Sequence, residues 1–427
     1  MKKSLKLISA LLAAMMSVTM TFTAHANPPK NSQNIQSSQS NSLIKISSLE
    51  DLNHLRDLSD QGENFEGKTV ILENDIYITK DGKKDGEPIE FKPIFKCPND
   101  AEPNDDDGFK GIFDGNGKTL HFNSTNSNIF GSIAKGGVVK NLNITGRFEG
   151  GQNRSIVAAK NSGTMDNVNV DVVASNDAIG IFGICYENAE CGIIKNCEVK
   201  GNLSSTCCLE GSAGMFLNGG ICGNNDGVIE SCKVSADLTS RVCNEAEGMA
   251  ETGGIASFNR GIIRSCFVES NIINLNENSD DDLGRQAAGL VSTNNGLVEN
   301  STFNGNISSL YAGGIAGNNY GVLKSCKANA IIAGQIPAGL VLCNKWGDPI
   351  FSSNLYKETA EGKGPQGVVN GCEFVGSLKS ITGEQVAIYG NIGLLTSDNT
   401  KFDPEIINCK MNGENIIRGI DKYYNYN

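Results

Sequence analysis

Tryptophan occurs once in this chain of 427 residues, and aromatic side chains make up only 6% of it. Histidine is almost as scarce. Of three histidines, His25 lies within the first 26 residues, leaving His54 and His121. Neither sits beside a Ser or Cys in a nucleophile motif, so triad chemistry and His-ligated metal chemistry are poorly supported. Positive charge is also short: 36 Lys and Arg face 48 Asp and Glu, for a net charge of −12. Such a chain has no general attraction to nucleic acid or anionic lipid. Beyond the first 26 residues there is no apolar run of the ~20 residues that a membrane helix needs. No membrane span and no nucleic-acid partner are therefore expected.

What the chain does have is glycine and asparagine. Glycine accounts for 50 residues and asparagine for about as many, nearly a quarter of the chain together. Both are poor helix formers, which excludes a helical bundle. With 39% apolar residues the chain still buries a core, which excludes wholesale disorder.

Residues 1–26 read as a secretory signal. Lys2, Lys3 and Lys6 precede an apolar stretch from Leu7 to Phe22, and Ala24-His25-Ala26 has the small-residue pattern of a cleavage site. Residues 27–43 are Pro, Asn, Gln and Ser with little to bury, and are expected to be a flexible linker. From residue 44 to 128 the spacing predicts an N-terminal cap with the first strands. Ser47 with Glu50, or Ser48 with Asp51, has capping-box spacing ahead of a short helix whose apolar face carries Leu52, Leu55 and Leu58. Residues 68–79 read as one strand. Residues 109–122 read as a hairpin turning at Asp114-Gly115-Asn116-Gly117.

After residue 128 the chain repeats itself. GGICGNNDGVIESCKVSADL (219–238), GGIASFNRGIIRSCFVESNI (253–272) and GGIAGNNYGVLKSCKANAII (313–332) are copies of one block. An anchor glycine recurs at Gly137, Gly163, Gly192, Gly227, Gly261, Gly296, Gly321 and Gly367, in steps of 26, 29, 35, 34, 35, 25 and 46 residues. Each block holds two or three apolar runs of three to five residues, too short for helices and suited to the sides of a coil. Ile229, Cys232 and Val234 are spaced by three and then two, so a corner must fall between the first pair for all three to point inward. The residue before the Cys slot reads Asn141, Asn167, Asn196, Ser231, Ser265, Asn300, Ser325, Gly371 and Asn408. Stacked at that corner, such side chains could hydrogen-bond to neighbouring backbone, while positive φ accounts for the Gly and Asn at other corners.

The expected fold is all-β: a right-handed parallel β-helix over 129–411, with an N-terminal α/β cap and a C-terminal cap or tail over 412–427. A β-propeller is the competing architecture. The irregular steps favour the coil, because extra residues can leave a corner as a loop without disturbing adjacent rungs.

The pieces ISSLEDLNHL, NFEGKTVILENDIYIT, FKGIFDGNGKTLHF and FGSIAKGGVVKNLNITG resemble the opening region of secreted bacterial proteins with GLUG-type repeats. The later GGIAGNNYG and AGLVSTNNG blocks resemble the GLUG motif itself, and the likeness covers roughly 46–411. It implies a secreted or cell-surface β-solenoid with an adhesin-like role, and no catalytic residues. Some such repeats accompany a metallopeptidase domain, but this chain has neither an HExxH motif nor an LPxTG-like sorting signal.

Fourteen cysteines in an exported chain would ordinarily suggest disulfides. Cys197, Cys232, Cys266, Cys326, Cys372 and Cys409 share one repeat slot that other copies fill with Leu142, Val168 or Ser301, which points to a ladder of buried thiols. Cys222 and Cys343 read as inward slots of the preceding strand. Cys185, Cys191, Cys207, Cys208 and Cys243 read as loop-associated disulfide candidates, and Cys97 has no obvious mate. The clusters Asp105-Asp106-Asp107 and Asp280-Asp281-Asp282 lack the alternating ligands of a calcium loop, so solvated loops are expected and calcium is only weakly supported. No other cofactor is expected. Trp346 and Tyr356, in the long insertion 344–366, are the candidate binding aromatics for a glycan or surface-protein ligand. Two other readings stay open: a polysaccharide lyase or hydrolase on the same scaffold, and a purely structural spacer.

Overall fold

The computed structural model describes residues 42–95, 104–125, 128–149, 155–176, 180–207, 214–242, 248–276, 285–345, 367–380, 386–395, 401–402, 405–416 and 421–425. Almost every element is a strand, and nearly all pairing is parallel and runs from one repeat copy to the next. Val228–Glu230 pairs with Ile193–Lys195 on one side and Ile262–Arg264 on the other. Lys233–Val242 likewise lies between Glu198–Cys207 and Phe267–Asn276. Cys222–Asn225 lies between Cys185–Asn188 and Ala256–Asn259. This is a solenoid-like stack. Propeller blades would be closed by antiparallel neighbours.

Each coil starts with a short strand, turns a corner, continues as a long strand and returns by a third side. The corner is built as the spacing of three and two requires. Ile229, Cys232 and Val234 are all buried, and Ser231 between them has φ +54°. The same left-handed conformation recurs at Asn141, Asn167, Asn196, Ser265, Asn300, Ser325, Gly371 and Asn408. Positive φ therefore belongs to this corner itself, and not only to the other corners. From Asn196 to Gly371 their peptide N–H groups donate to the next coil, as Ser231 does to Arg264 O at 3.1 Å. Asparagine tolerates this conformation at low cost, which explains its frequency there.

The anchor glycines have a different reason. A Cβ on Gly261 would meet the Gly227 carbonyl oxygen at 2.1 Å, and one on Gly296 would meet that of Gly261 at the same distance. Successive coils approach too closely here for any side chain.

Two residues ahead of most anchors runs a column absent from the sequence-based picture. Asn161, Asn188, Asn225, Asn259, Asn294, Asn319 and Asn344 are buried, and each Nδ2 donates to the next Oδ1 at 2.7–2.8 Å. The same amides also reach backbone carbonyls, for example Asn259 Nδ2 to Leu297 O at 3.3 Å. The buried polar column is thus paired along its length.

A second column stands outside, and from Lys140 onward it lies one residue before the left-handed corner. Asp114, Lys140, Asp166, Lys195, Glu230, Arg264, Glu299 and Lys324 stand in register on successive coils and alternate in sign without exception. Ion pairs form at 3.3 Å (Lys140–Asp114), 3.4 Å (Lys195–Asp166), 2.5 Å (Arg264–Glu230) and 3.8 Å (Lys324–Glu299).

The N-terminal region is woven into the same stack. Ser42–Ile46 pairs in parallel with Lys68–Leu72, which pairs with Ile112–Asp114. The helix Leu49–Asp60 is capped by Ser48, whose side chain accepts from Asp51 N, while Asp51 Oδ2 accepts from Ser47 N at 2.8 Å. Leu52 and Leu55 are buried and Leu58 is partly so. Residues 68–79 form two strands, Lys68–Leu72 and Ile76–Ile78, with a bend between them.

The expected hairpin over 109–122 is not formed. Ile112–Asp114 and Thr119–Ser124 both pair in parallel with the single long strand Val138–Glu149. Asp114-Gly115-Asn116-Gly117 is therefore a coil corner, with Asn116 and Gly117 at positive φ. A hairpin does occur at the last coil, where Cys409–Met411 and Glu414–Ile416 pair antiparallel across Asn412-Gly413.

Candidate functional site

Inward positions hold the core, so the outward positions of the long strands are among the places where side chains stand open to a ligand. Tyr77, His121, Thr145, Asp171 and Lys200 form one outward column, coil upon coil. Tyr77 and His121 stack with centroids 4.7 Å apart and planes 16° from parallel. His121 Nδ1 shares a hydrogen bond with Thr145 Oγ1 at 2.8 Å, which fixes the imidazole against the sheet. In the next column, Asn123, Arg147 and Val173 lie side by side.

The loop between Ile78 and Ile89 walls this face. Thr79 Oγ1 donates to Lys83 O at 2.9 Å and Lys80 N donates to Glu87 O at 2.9 Å. Asn123 Nδ2 holds Gly86 O at 3.0 Å, tying the loop to the sheet. The result is an open cleft of about 660 Å³ lined by Tyr77, Lys84, Asp85, His121, Asn123, Thr145, Arg147, Glu149 and Val173, among others. Val173 is 52% exposed at its edge. Arg147 Nη1 and Glu149 Oε1 pair at 2.8 Å with both side chains more than half exposed.

The cleft combines an aromatic face, an exposed guanidinium–carboxylate pair, an amide and a hydroxyl. Such groups stack on and hydrogen-bond to a polyhydroxylated ligand. The carboxylates lining it are Asp85 and Glu149. Both stand at the surface, with Glu149 engaged by Arg147, unlike the buried acid that a glycosidase keeps protonated. Among the described residues, no three His, Cys, Asp or Glu side chains converge as a metal site.

A second polar cluster lies on the third side of the coil. Glu251 is buried, and its Oε2 accepts from Thr293 Oγ1 at 3.1 Å. Gln286 Nε2 donates to the same hydroxyl at 3.0 Å, and Asn318 Nδ2 donates to Gln286 Oε1 at 2.8 Å. Burial pushes the Glu251 carboxyl up to about 7, against the opposing pull of the hydrogen bonds from Thr293 and Gln286.

Trp346 and Tyr356 lie outside the described residues, as do Cys97, Cys208, Cys243 and Asp280-Asp281-Asp282. The insertion's base is described. Asn344 ends the asparagine column, Gly367 N donates to Lys345 O at 3.0 Å, and Lys345 Nζ reaches Tyr320 Oη at 3.2 Å. Cys207 ends the strand Glu198–Cys207.

Two cysteines, Cys185 and Cys343, are placed otherwise than expected. Cys185 is not in a loop: it is a fully buried strand residue in register with Cys222. Cys343 is not inward but half-buried, in register with the outward Asn318, whereas Val341 takes the inward slot. Cys191 is half-buried in a turn and donates to Ser162 O at 3.2 Å. The six-cysteine slot is buried throughout, with Ser301 filling it in one coil.

Asp105 does more than face solvent. It accepts from Ser162 Oγ at 2.7 Å and pairs with Lys160 at 3.4 Å, clasping its loop to the stack, while Lys160 also pairs with Glu187 at 3.3 Å. Burial pulls the Lys160 ammonium down, but the two carboxylates outweigh it and hold the group above its usual value.

Nothing in the sequence marks Tyr77, Arg147 or Glu251 as site residues, and His121 has no nucleophile motif beside it. No family model matches the chain, and no curated protein or solved structure matches it significantly. No helix of the described residues is long and apolar enough to cross a membrane.

Proposed function

We propose that this chain is an exported, right-handed parallel β-helix of the GLUG-repeat type, acting at or beyond the cell surface as a non-enzymatic, adhesin-like binding protein. Its ligand is a glycan, held in the cleft around Tyr77. The observation that carries this reading is the stacked Tyr77–His121 pair at 4.7 Å, beside Arg147, Asn123 and Glu149 on an open, outward face. Export rests on the leader-like residues 1–26, and the family on the repeat pattern.

The test is binding of the full chain to immobilised neutral and acidic polysaccharides, with reducing-end release assayed in parallel. Tyr77→Ala should weaken binding about tenfold or more, equivalent to the ~1.4 kcal/mol of one lost aromatic face. Undiminished binding by Tyr77→Ala, with loss in Trp346→Ala, would move the site to the 344–366 insertion. Release of reducing ends would replace the binding role with polysaccharide cleavage, and no binding at all would leave a structural spacer.

A further inference from the structure

The cysteines fall into two structural classes. In the six-membered slot each thiol is turned back on its own corner: Cys197, Cys232 and Cys266 donate to the carbonyl two residues earlier at 3.2, 3.3 and 3.3 Å. Cys232 stands between Cys197 and Cys266 on adjoining coils, and Cys372 between Cys326 and Cys409. Pairing any two in such a run of three strands the third.

Cys185 and Cys222 are different. They occupy the same inward position of adjacent parallel strands, and their sulfurs are 3.6 Å apart. Their other neighbours in register are Ala158 on one side and Ala256 on the other, so each has a single cysteine to face. Neighbouring strands lie about 4.8 Å apart, within the Cα range that a disulfide spans. Closing the bond draws the sulfurs together by about 1.5 Å, which rotation about the side-chain bonds supplies with a small approach of the two strands.

We propose that Cys185 and Cys222 form a disulfide that staples two adjacent coils when the chain folds in the presence of a small disulfide oxidant. One thiolate attacks the oxidant, glutathione disulfide for instance, forming a mixed disulfide and expelling a glutathione thiolate. The second thiolate displaces the remaining glutathione. Two protein thiols are oxidised, the oxidant is reduced to two thiols, and the two protons pass to them. Both sulfurs are fully buried in the finished stack, so the reaction belongs to folding, before the coils close over the pair. Burial and the facing sulfur hold the Cys185 thiol well above its ordinary value, which keeps it unreactive if it escapes oxidation at that stage.

The experiment folds the full chain in a glutathione redox mixture, denatures it without reductant in the presence of N-ethylmaleimide, and maps the digest by mass spectrometry. The expected product is a peptide pair joined through Cys185 and Cys222, lighter by two hydrogens than its parts and separated by reductant. Cys222→Ala should convert Cys185 to the maleimide-labelled form. Maleimide on Cys185 or Cys222 of the oxidatively folded parent would overturn the proposal, as would a link from either to another cysteine such as Cys191. The parent map decides the question even where the variant does not fold. None of these outcomes depends on glycan binding.

Discussion

Replacing Glu251 by Gln should make the protein more stable at pH 8 and leave it nearly unchanged at pH 4. Glu251 is buried at about 7, while the same carboxyl in the unfolded chain titrates near 4.5. Because the folded value is the higher one, the folded chain holds more protons between these two values, and stability falls as pH rises through that window. At about 1.4 kcal/mol per pH unit, the full loss is roughly 3.5 kcal/mol above pH 8, and none of it is present below pH 4. Glutamine keeps the shape and an oxygen for the Thr293 hydroxyl but carries no charge to bury. Lys345 is the cation whose field favours the charged carboxyl, and its pull is already included in the value near 7. The assay is urea unfolding of parent and Glu251→Gln at pH 4, 6 and 8, followed by strand circular dichroism. The two curves should separate only above pH 5, with the variant ahead. Parallel pH dependence would refute the assignment, as would equal destabilisation of the variant at every pH.

Truncation of the asparagine column should be costly. Asn259→Ala removes the acceptor of Asn225 Nδ2 and the donor to Asn294 Oδ1, both at 2.8 Å in a buried column. The loss expected from two stranded polar groups is roughly 2–5 kcal/mol in urea unfolding, and a change under about 1 kcal/mol would show that the column is dispensable. Reversing one charge of the outer column should matter much less. Arg264→Glu places three acids in register, but the ion pair it breaks is 46% and 29% exposed. A loss of about 0.5–1 kcal/mol at low salt, shrinking toward zero at high salt, is expected, and a salt-independent loss would contradict it.

The repeat was legible because every coil meets the same constraint at the same place. The anchor glycines recur because carbonyls from the preceding coil leave no room for a Cβ, and the corner residues recur because each corner needs one left-handed residue. The expected hairpin at 109–122 gives way to a coil corner for an equally local reason. A Gly/Asn turn between two apolar runs satisfies either a hairpin or a coil corner, and only the parallel partner at Val138–Glu149 decides. The asparagine column was written in the chain two residues before most anchors. It was obscured where Asn188 stands four residues ahead of Gly192, and where Asn344 stands 23 ahead of Gly367. The cleft could not be read at all. Tyr77 and His121 lie in coils without the repeat signature and meet through a pairing 44 residues apart in the chain, while the burial of Glu251 depends on Thr293, 42 residues further on.

This division of labour makes binding and stability separable by mutation. Inward slots, the left-handed corners, the anchor glycines and the asparagine column hold one coil to the next, and all of them lie inside or at the turns. Outward positions of the long strands are held to no such fixed pattern: across four coils one outward column reads His121, Thr145, Asp171 and Lys200. The same point holds beside the 344–366 insertion, where the column stays bonded at 2.8 Å through Asn319 and Asn344. Tyr77→Ala should therefore change ligand binding with little effect on unfolding, and Asn259→Ala should do the reverse. A Tyr77→Ala variant that unfolds as easily as Asn259→Ala would mean that the Tyr77–His121 stack is part of the scaffold, and the binding face would then have to be sought elsewhere on the coil.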